Sequence, residues 1–261
     1  MPMDSDRCKE CTLKFKNTPY TYNGYPLSSS KNTEGHYEAI LHGIYALLNY
    51  MTTKFKNVFV VNMVVKYPLH SKHEYDLSTL TRAERCGENN KLFLDLLEYF
   101  SDYCRVKDYH PKYIWARERS LKTGGVHFHV LYCFDSNYIQ NSYGLLSKAK
   151  ELWGNCLNVK DPNGLVELWV PKPRNSNRSD GDRSFSNAEH LSNTDRNDRH
   201  QHDLFDIEEL YRYGGIKLRR SDPEFHDKFA LVFKYASYLA KVFSKGYSPY
   251  NVNEFGISKL D

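Results

Sequence analysis

No run of apolar residues in this sequence approaches the roughly 18 to 20 that a membrane-crossing helix needs. Its first residues, MPMDSDRCKECTLKFK, lack the apolar stretch of a secretory leader. Together these absences predict a soluble, cytoplasmic protein with no membrane partner. Cysteine is sparse and unpatterned. Cys8, Cys11, Cys86, Cys104, Cys133 and Cys156 keep no framework spacing, which suits reduced thiols better than a disulfide scaffold. Cys8 and Cys11 form one CxxC, but no second pair lies nearby to complete a zinc site. A GxxxxGKS or GxxxxGKT loop is also missing, so any nucleotide-driven helicase must be a different protein. Neither sign of charge dominates: the net charge is +4, and composition alone does not demand a nucleic-acid partner.

What is present suffices for a substantial core. The 261 residues are 40% hydrophobic and 15% aromatic, enough for one large domain. Residues 1 to 33 are polar and rich in Ser, Thr and Asn, and are expected to form a loose arm before a single domain over 34 to 261. EGHYEAILHGIYALLNYM (34 to 51) carries helical periodicity through Tyr37, Ile40, Leu41, Ile44, Leu47 and Leu48. NVFVVNMVVKYP (57 to 68) reads as a central strand stopped by Pro68. A helix is expected from about 80 to 106, burying Leu92, Phe93, Leu96, Leu97 and Phe100. Two strands, KYIWARERS and VHFHVLYCF, follow across a Gly-containing hairpin, then the helix YGLLSKAKELWGNCL and the strand GLVELWV. The order β-α-β-β-α-β predicts an α+β, ferredoxin-like antiparallel sheet with two helices on one face. Residues 171 to 203 are charged and nearly free of aliphatics, which predicts a flexible insertion whose His190, His200 and His202 are solvated loop residues. The last helix is expected from Asp222 to Gly246, with Phe225, Phe229, Val232, Phe233, Ala236, Leu239, Ala240 and Phe243 as its apolar stripe.

Two places carry chemistry. In TGGVHFHVLYCFD (123 to 135), His127 and His129 stand two apart on a strand, so both imidazoles point the same way and can meet one ion, while Phe128 faces the other side. In the last helix, Tyr238 lies off the apolar stripe with Lys234, Lys241 and Lys245, whereas Tyr235 sits on the flank. Cations beside a tyrosine favour both a bound phosphodiester and the phenolate form.

Taken together, YIWARERSLKTGGVHFHVLYCFD, LWGNCL, GLVELWV and YASYLAK resemble the HUH endonucleases, more narrowly the replication initiators of filamentous-phage gene II type found also in prophages. The resemblance runs from about residue 55 to 245. It implies an HUH fold with a nucleophile-bearing C-terminal helix, in a protein of the bacterial cytoplasm. The implied activity is metal-dependent nicking and rejoining of single-stranded DNA at a replication origin, initiating rolling-circle replication through a 5′-phosphotyrosyl intermediate. Glu118, His127 and His129 would hold the divalent ion, Mn²⁺ or Mg²⁺, with zinc chemically possible. Tyr238 would be the nucleophile and Lys241 would stabilise charge on it or on the phosphate. Lys217, Arg219, Arg220, Lys234 and Lys245 would track the DNA backbone. A host helicase and polymerase are the implied partners. The sequence departs from the two-tyrosine initiators, whose tyrosines have three residues between them. Here Tyr235 and Tyr238 have two, which ranks Tyr238 first. Two other classes use parts of the same pattern: a non-catalytic DNA-binding regulator that keeps the fold, and a zinc hydrolase that needs no tyrosine.

Overall fold

The protein is described by a computed structural model that covers residues 12–13, 21–28, 35–68, 89–120, 125–139, 141–169, 212–242, 245, 248 and 252–261. The fold is α+β, with four helices among the described residues: α1 (Glu38–Lys54), α2 (Lys91–Val106), α3 (Tyr143–Leu157) and α4 (Phe225–Ala236). Ten strands run from β1 (Thr12–Leu13), β2 (Thr21–Tyr22), β3 (Tyr25–Pro26) and β4 (His36–Tyr37) through β5 (Asn57–Lys66), β6 (Lys112–Arg119) and β7 (Val126–Asp135) to β8 (Val166–Leu168), β9 (Ile216–Arg219) and β10 (Phe255–Ile257). None of the described helices is long and apolar enough to cross a membrane.

The main sheet is antiparallel in the order β10-β6-β7-β5-β8. β5 is nearly continuous in Val, Phe and Met and is buried on both faces, as a central strand must be. Its outer edge is shared end to end. β8 pairs with Met63–Val65, and β9 pairs with the other half, Asn57–Val60. Gly214 and Gly215 admit β9 to that edge. Gly214 holds φ +67°, and a Cβ on Gly215 would lie 2.6 Å from the Val60 carbonyl oxygen.

Alternation along the strands divides the core in two. On one face, Phe59, Val61, Met63, Trp115, Phe128 and Val130 pack beneath α2 and α3, and the Phe128 ring stacks on Phe93 at 3.7 Å. On the other, Val58, Val60, Ile114, Ala116, Leu131 and Cys133 meet α1 and α4. The two helices of the β-α-β-β-α-β unit, α2 and α3, thus share one face as expected, and α1 and α4 cover the other. Periodicity shows that α1 buries a stripe but not which side of the sheet receives it.

The C-terminal helix is shorter than expected. Asp222 Oδ1 accepts the Glu224 N–H at 3.0 Å and Oδ2 pairs with Lys228 at 2.9 Å, anchoring the start. The α-helix ends at Ala236, tightens into a 3₁₀ turn over Ser237–Ala240, and is extended at Lys241. Phe225, Phe229, Val232, Phe233, Ala236, Leu239 and Ala240 are buried as expected. Phe243 and Gly246 lie outside the described residues, as do Cys8, Cys11 and the insertion at 171 to 203 with its histidines.

Part of the expected N-terminal arm is ordered against this helix. Asn23 and Gly24 hold φ 50° and 82°, an Asn-Gly hairpin between β2 and β3. It delivers Tyr22 and Tyr25 onto Phe233 and Phe229, with ring centroids 6.0 and 5.0 Å apart. The Ser28 N–H donates to Ser237 Oγ at 2.7 Å, and His36 bridges to Lys241. These contacts hold the 3₁₀ turn in place.

Candidate metal centre and tyrosine

The β6–β7 hairpin sets the site by register. Glu118 stands directly opposite His127, and His129 is opposite Ala116, one diagonal step away on the same face. Glu118 Oε2 lies 3.5 Å from His127 Nε2 and 3.6 Å from His129 Nε2. One ligand atom from each of the three lies within 4.8 Å of the others, so a single ion can be shared. Glu118 and His129 are buried, whereas the His127 side chain keeps 22% of its surface exposed and marks the open side.

The electrostatics keep Glu118 and His129 in their ligand forms. Burial would raise the Glu118 carboxyl, but the Lys245 charge, His129 and hydrogen bonds from His127 and Lys245 outweigh it and hold the group below the usual carboxylate range. Burial lowers His129 to about 4, against the raising effect of Glu118 and aided by His127, Lys245 and Lys66. A charged carboxylate beside a neutral imidazole is a donor set that fits a divalent ion such as Mn²⁺, Mg²⁺ or Zn²⁺.

Tyr238 reaches this centre from the 3₁₀ turn. Its ring lies 5.2 Å from that of His129, and the Lys241 Nζ stands 4.1 Å from its centroid. Burial, with Glu118, raises the phenol to about 12. Lys241 is lowered to about 8 by burial, with Glu118 raising and Lys245 lowering it. Tyr235 is half-buried on the α1/α4 side and lies 6.5 Å, ring to ring, from Trp169.

Lys245 departs from its expected place on a DNA-facing surface. It is 5% exposed, and its Nζ donates to Glu118 Oε1 at 2.9 Å and to the Lys241 carbonyl at 2.9 Å. Lys241 is equally enclosed, at 3% exposure. The end of the α-helix at Ala236 accounts for both. Beyond it the 100° spacing no longer applies, and the chain turns these lysines inward toward Glu118.

The remaining expected DNA contacts are scattered. Lys217, Arg219 and Arg220 lie on or just after β9, beside Asn57–Phe59 toward the far end of β5 from the triad, roughly 17 to 30 Å away at the usual rise of a strand. Arg219 is held by Asn57 Oδ1 at 2.7 Å, Arg220 by the Thr52 carbonyl at 2.7 Å, and Lys217 lies over the Tyr213 ring. Lys234 is half-buried on α4, one turn before Tyr238. Trp169 went unnoticed in the sequence. Its ring is 5.0 Å from Tyr238 and 6.2 Å from His129. Alternation in GLVELWV was the available signal, since it sets Glu167 and Trp169 on one face.

A family model of the YagK/YfjJ C-terminal domain matches residues 18–187, more than half of the chain. The chain belongs to this family. The matched stretch contains Glu118, His127 and His129 and stops before Tyr238. A search of the curated proteins finds no match.

Proposed function

We propose that the protein is an HUH-type, metal-dependent single-strand DNA endonuclease that initiates rolling-circle replication. One observation carries the reading. Tyr238, from a segment more than a hundred positions downstream, packs its ring on a histidine of the Glu118–His127–His129 triad and has Lys241 over its own ring. The sheet order supports it as well. β6-β7-β5-β8, with α2 and α3 as crossovers, is the order of a split βαβ, ferredoxin-like sheet, the arrangement expected of an HUH domain.

Glu118, His127 and His129 hold the divalent ion, Mn²⁺ or Mg²⁺, which supplies Lewis-acid polarisation of the scissile phosphate when bound. Tyr238 Oη attacks phosphorus, the bond to the 3′ oxygen breaks, and the products are a 5′-phosphotyrosyl ester and a 3′-hydroxyl. The phenolic proton passes to solvent and the departing 3′ oxygen gains one. Lys241, whose shifted value near 8 leaves it mainly charged at neutral pH, stabilises the anion developing on the phenol or the phosphate. Because the broken bond is stored as an ester, a 3′-hydroxyl can reverse the step without nucleotide hydrolysis. A host polymerase would extend the free 3′ end, and a separate helicase would open the duplex.

Incubation with single-stranded and supercoiled DNA of the parent replicon and Mn²⁺, followed by denaturing electrophoresis, tests this. Nicked DNA with protein attached to the 5′ end is expected. Intact DNA in every lane would overturn the reading.

A further inference from the structure

The row Glu118–His127 continues across the sheet to Lys66, which pairs directly with His127 on β5. The neighbouring row does the same: His129 and Glu167 both stand opposite Val64, one on each side. Lys66 and Glu167 thus share the face of the triad. Lys66 Nζ donates to Glu167 Oε2, and the two side chains are 33% and 34% exposed. The Lys66 backbone is pinned by its N–H to the Leu165 carbonyl at 2.7 Å and by Trp153 Nε1 to its own carbonyl at 2.9 Å. Its cation lies on the triad's face, held toward β8 by Glu167.

Three lysines send their charge into this centre: Lys66, Lys241 and Lys245. Lys241 and Lys245 are sealed from solvent, and Lys245 is committed to Glu118. Lys66 alone of the three is open to an incoming anion. Its present partner is a carboxylate in an ion pair one third exposed, which solvent screens and weakens. A phosphodiester offers the same pair of anionic oxygens and gains counterion release on binding, so it can displace Glu167 at little cost.

We propose that Lys66 is a phosphate seat next to the metal triad, taking a backbone phosphodiester of single-stranded DNA, and that Glu167 occupies this seat in the free protein. The inference rests on the nicking reading for its ligand class. It differs from an ordinary structural ion pair in one respect. Both Lys66→Met and Glu167→Gln break the same pair, so a structural role moves both variants alike, whereas a seat and its plug move DNA affinity in opposite directions.

The experiment is fluorescence anisotropy of a labelled oligothymidylate over a salt series in EDTA, where no metal-dependent cleavage competes, using the full chain and its Lys66→Met, Lys66→Arg and Glu167→Gln variants. Lys66→Met is expected to weaken binding severalfold and to flatten the salt slope by about 0.7, the value of one single-strand phosphate contact. Lys66→Arg keeps most of the affinity. Glu167→Gln, the isosteric change, tightens binding severalfold. Equal affinities in all variants, or a shift of Lys66→Met and Glu167→Gln in the same direction, overturn the seat. A nicking assay on the wild type runs beside it. If binding moves as expected and the wild type never nicks, the nicking reading fails and the seat stands. If the wild type nicks while these variants bind alike, the reverse holds.

Discussion

Glu118 and His127 face each other across the β6–β7 hairpin as direct cross-strand partners, with Oε2 3.5 Å from Nε2. That pairing, with His129, brings together three side chains able to share one metal ion. The hairpin register places the carboxylate, and strand alternation brings His129 to it as the second imidazole. No loop has to close to assemble these three groups.

Removing either histidine separates binding from folding in different proportions. His127→Ala takes away a partly exposed ligand, so it should leave the melting transition nearly unchanged and weaken Mn²⁺ binding by at least the roughly 10- to 100-fold that even outer-shell losses cost. His129→Ala empties a buried position against Tyr238 and should cost stability as well. Titration calorimetry and nicking gels check the pair. Normal Mn²⁺-dependent nicking by the double variant would show that the triad is not the metal site.

Tyr238→Phe removes one oxygen and keeps the ring packed on His129 and Trp169. Metal binding should survive while the covalent adduct with the 5′ end disappears. Tyr235→Phe should still nick, because it is the Tyr238 ring that lies against His129 and beneath Lys241. Lys241→Met should slow cleavage by roughly a hundredfold, the usual worth of one charge-stabilising group. Mass spectrometry of the peptide left on cleaved DNA decides the assignment. A nucleotide on Tyr235 would overturn it.

The parts of this molecule legible in its sequence are those where one periodicity runs unbroken. β5, β7, α1 and α3 declare themselves by alternation or by a 3.6-residue stripe, and the triad by the spacing of His127 and His129 after Glu118. The short strands β9 and β10, of four and three residues, carry too few turns of any period to be seen. The β2–β3 hairpin hid because its packed side chains are half-buried tyrosines amid polar residues, although Asn23-Gly24 was a readable turn. Lys245 was misplaced for a different reason. A helical wheel assumes that the helix continues, and this one stops at Ala236.

Acid should destabilise the fold through His36. Burial lowers this imidazole to about 4, with Lys241 and Lys245 pushing the same way and a backbone hydrogen bond at Ser28 opposing them. The unfolded chain takes up its proton near the ordinary value of 6.5, the folded chain only near 4. Between those values the unfolded state binds more protons, so the contribution of His36 falls as pH drops through that window and levels off below it, where the depressed Glu118 carboxyl goes on lowering stability. Urea unfolding in EDTA at stepped pH should show the loss. His36→Gln, which does not titrate there, should flatten the curve in part, since His129 is lowered to the same value by burial and contributes in the same direction. An unchanged slope in the variant would remove His36 from the account.

Lys245 gives the sharpest contrast between a surface contact and a buried one. If it tracked DNA from outside, Lys245→Met would leave stability within a few tenths of a kcal/mol and flatten the salt dependence of DNA binding. Its Nζ instead sits 2.9 Å from Glu118 Oε1, with the two side chains 0% and 2% exposed. Removing one partner of such a pair leaves the other charge buried and uncompensated, a loss of about 3 to 5 kcal/mol. Lys245→Met should therefore unfold at markedly lower urea, and the double variant Lys245→Met with Glu118→Gln should recover part of the loss because the carboxylate left without Lys245 is gone, while Lys241 loses the charge that faced it. The salt slope of oligonucleotide binding should stay at its wild-type value in whichever variant remains folded. A Lys245→Met protein as stable as wild type, with a shallower salt slope, would return this lysine to the DNA-facing surface.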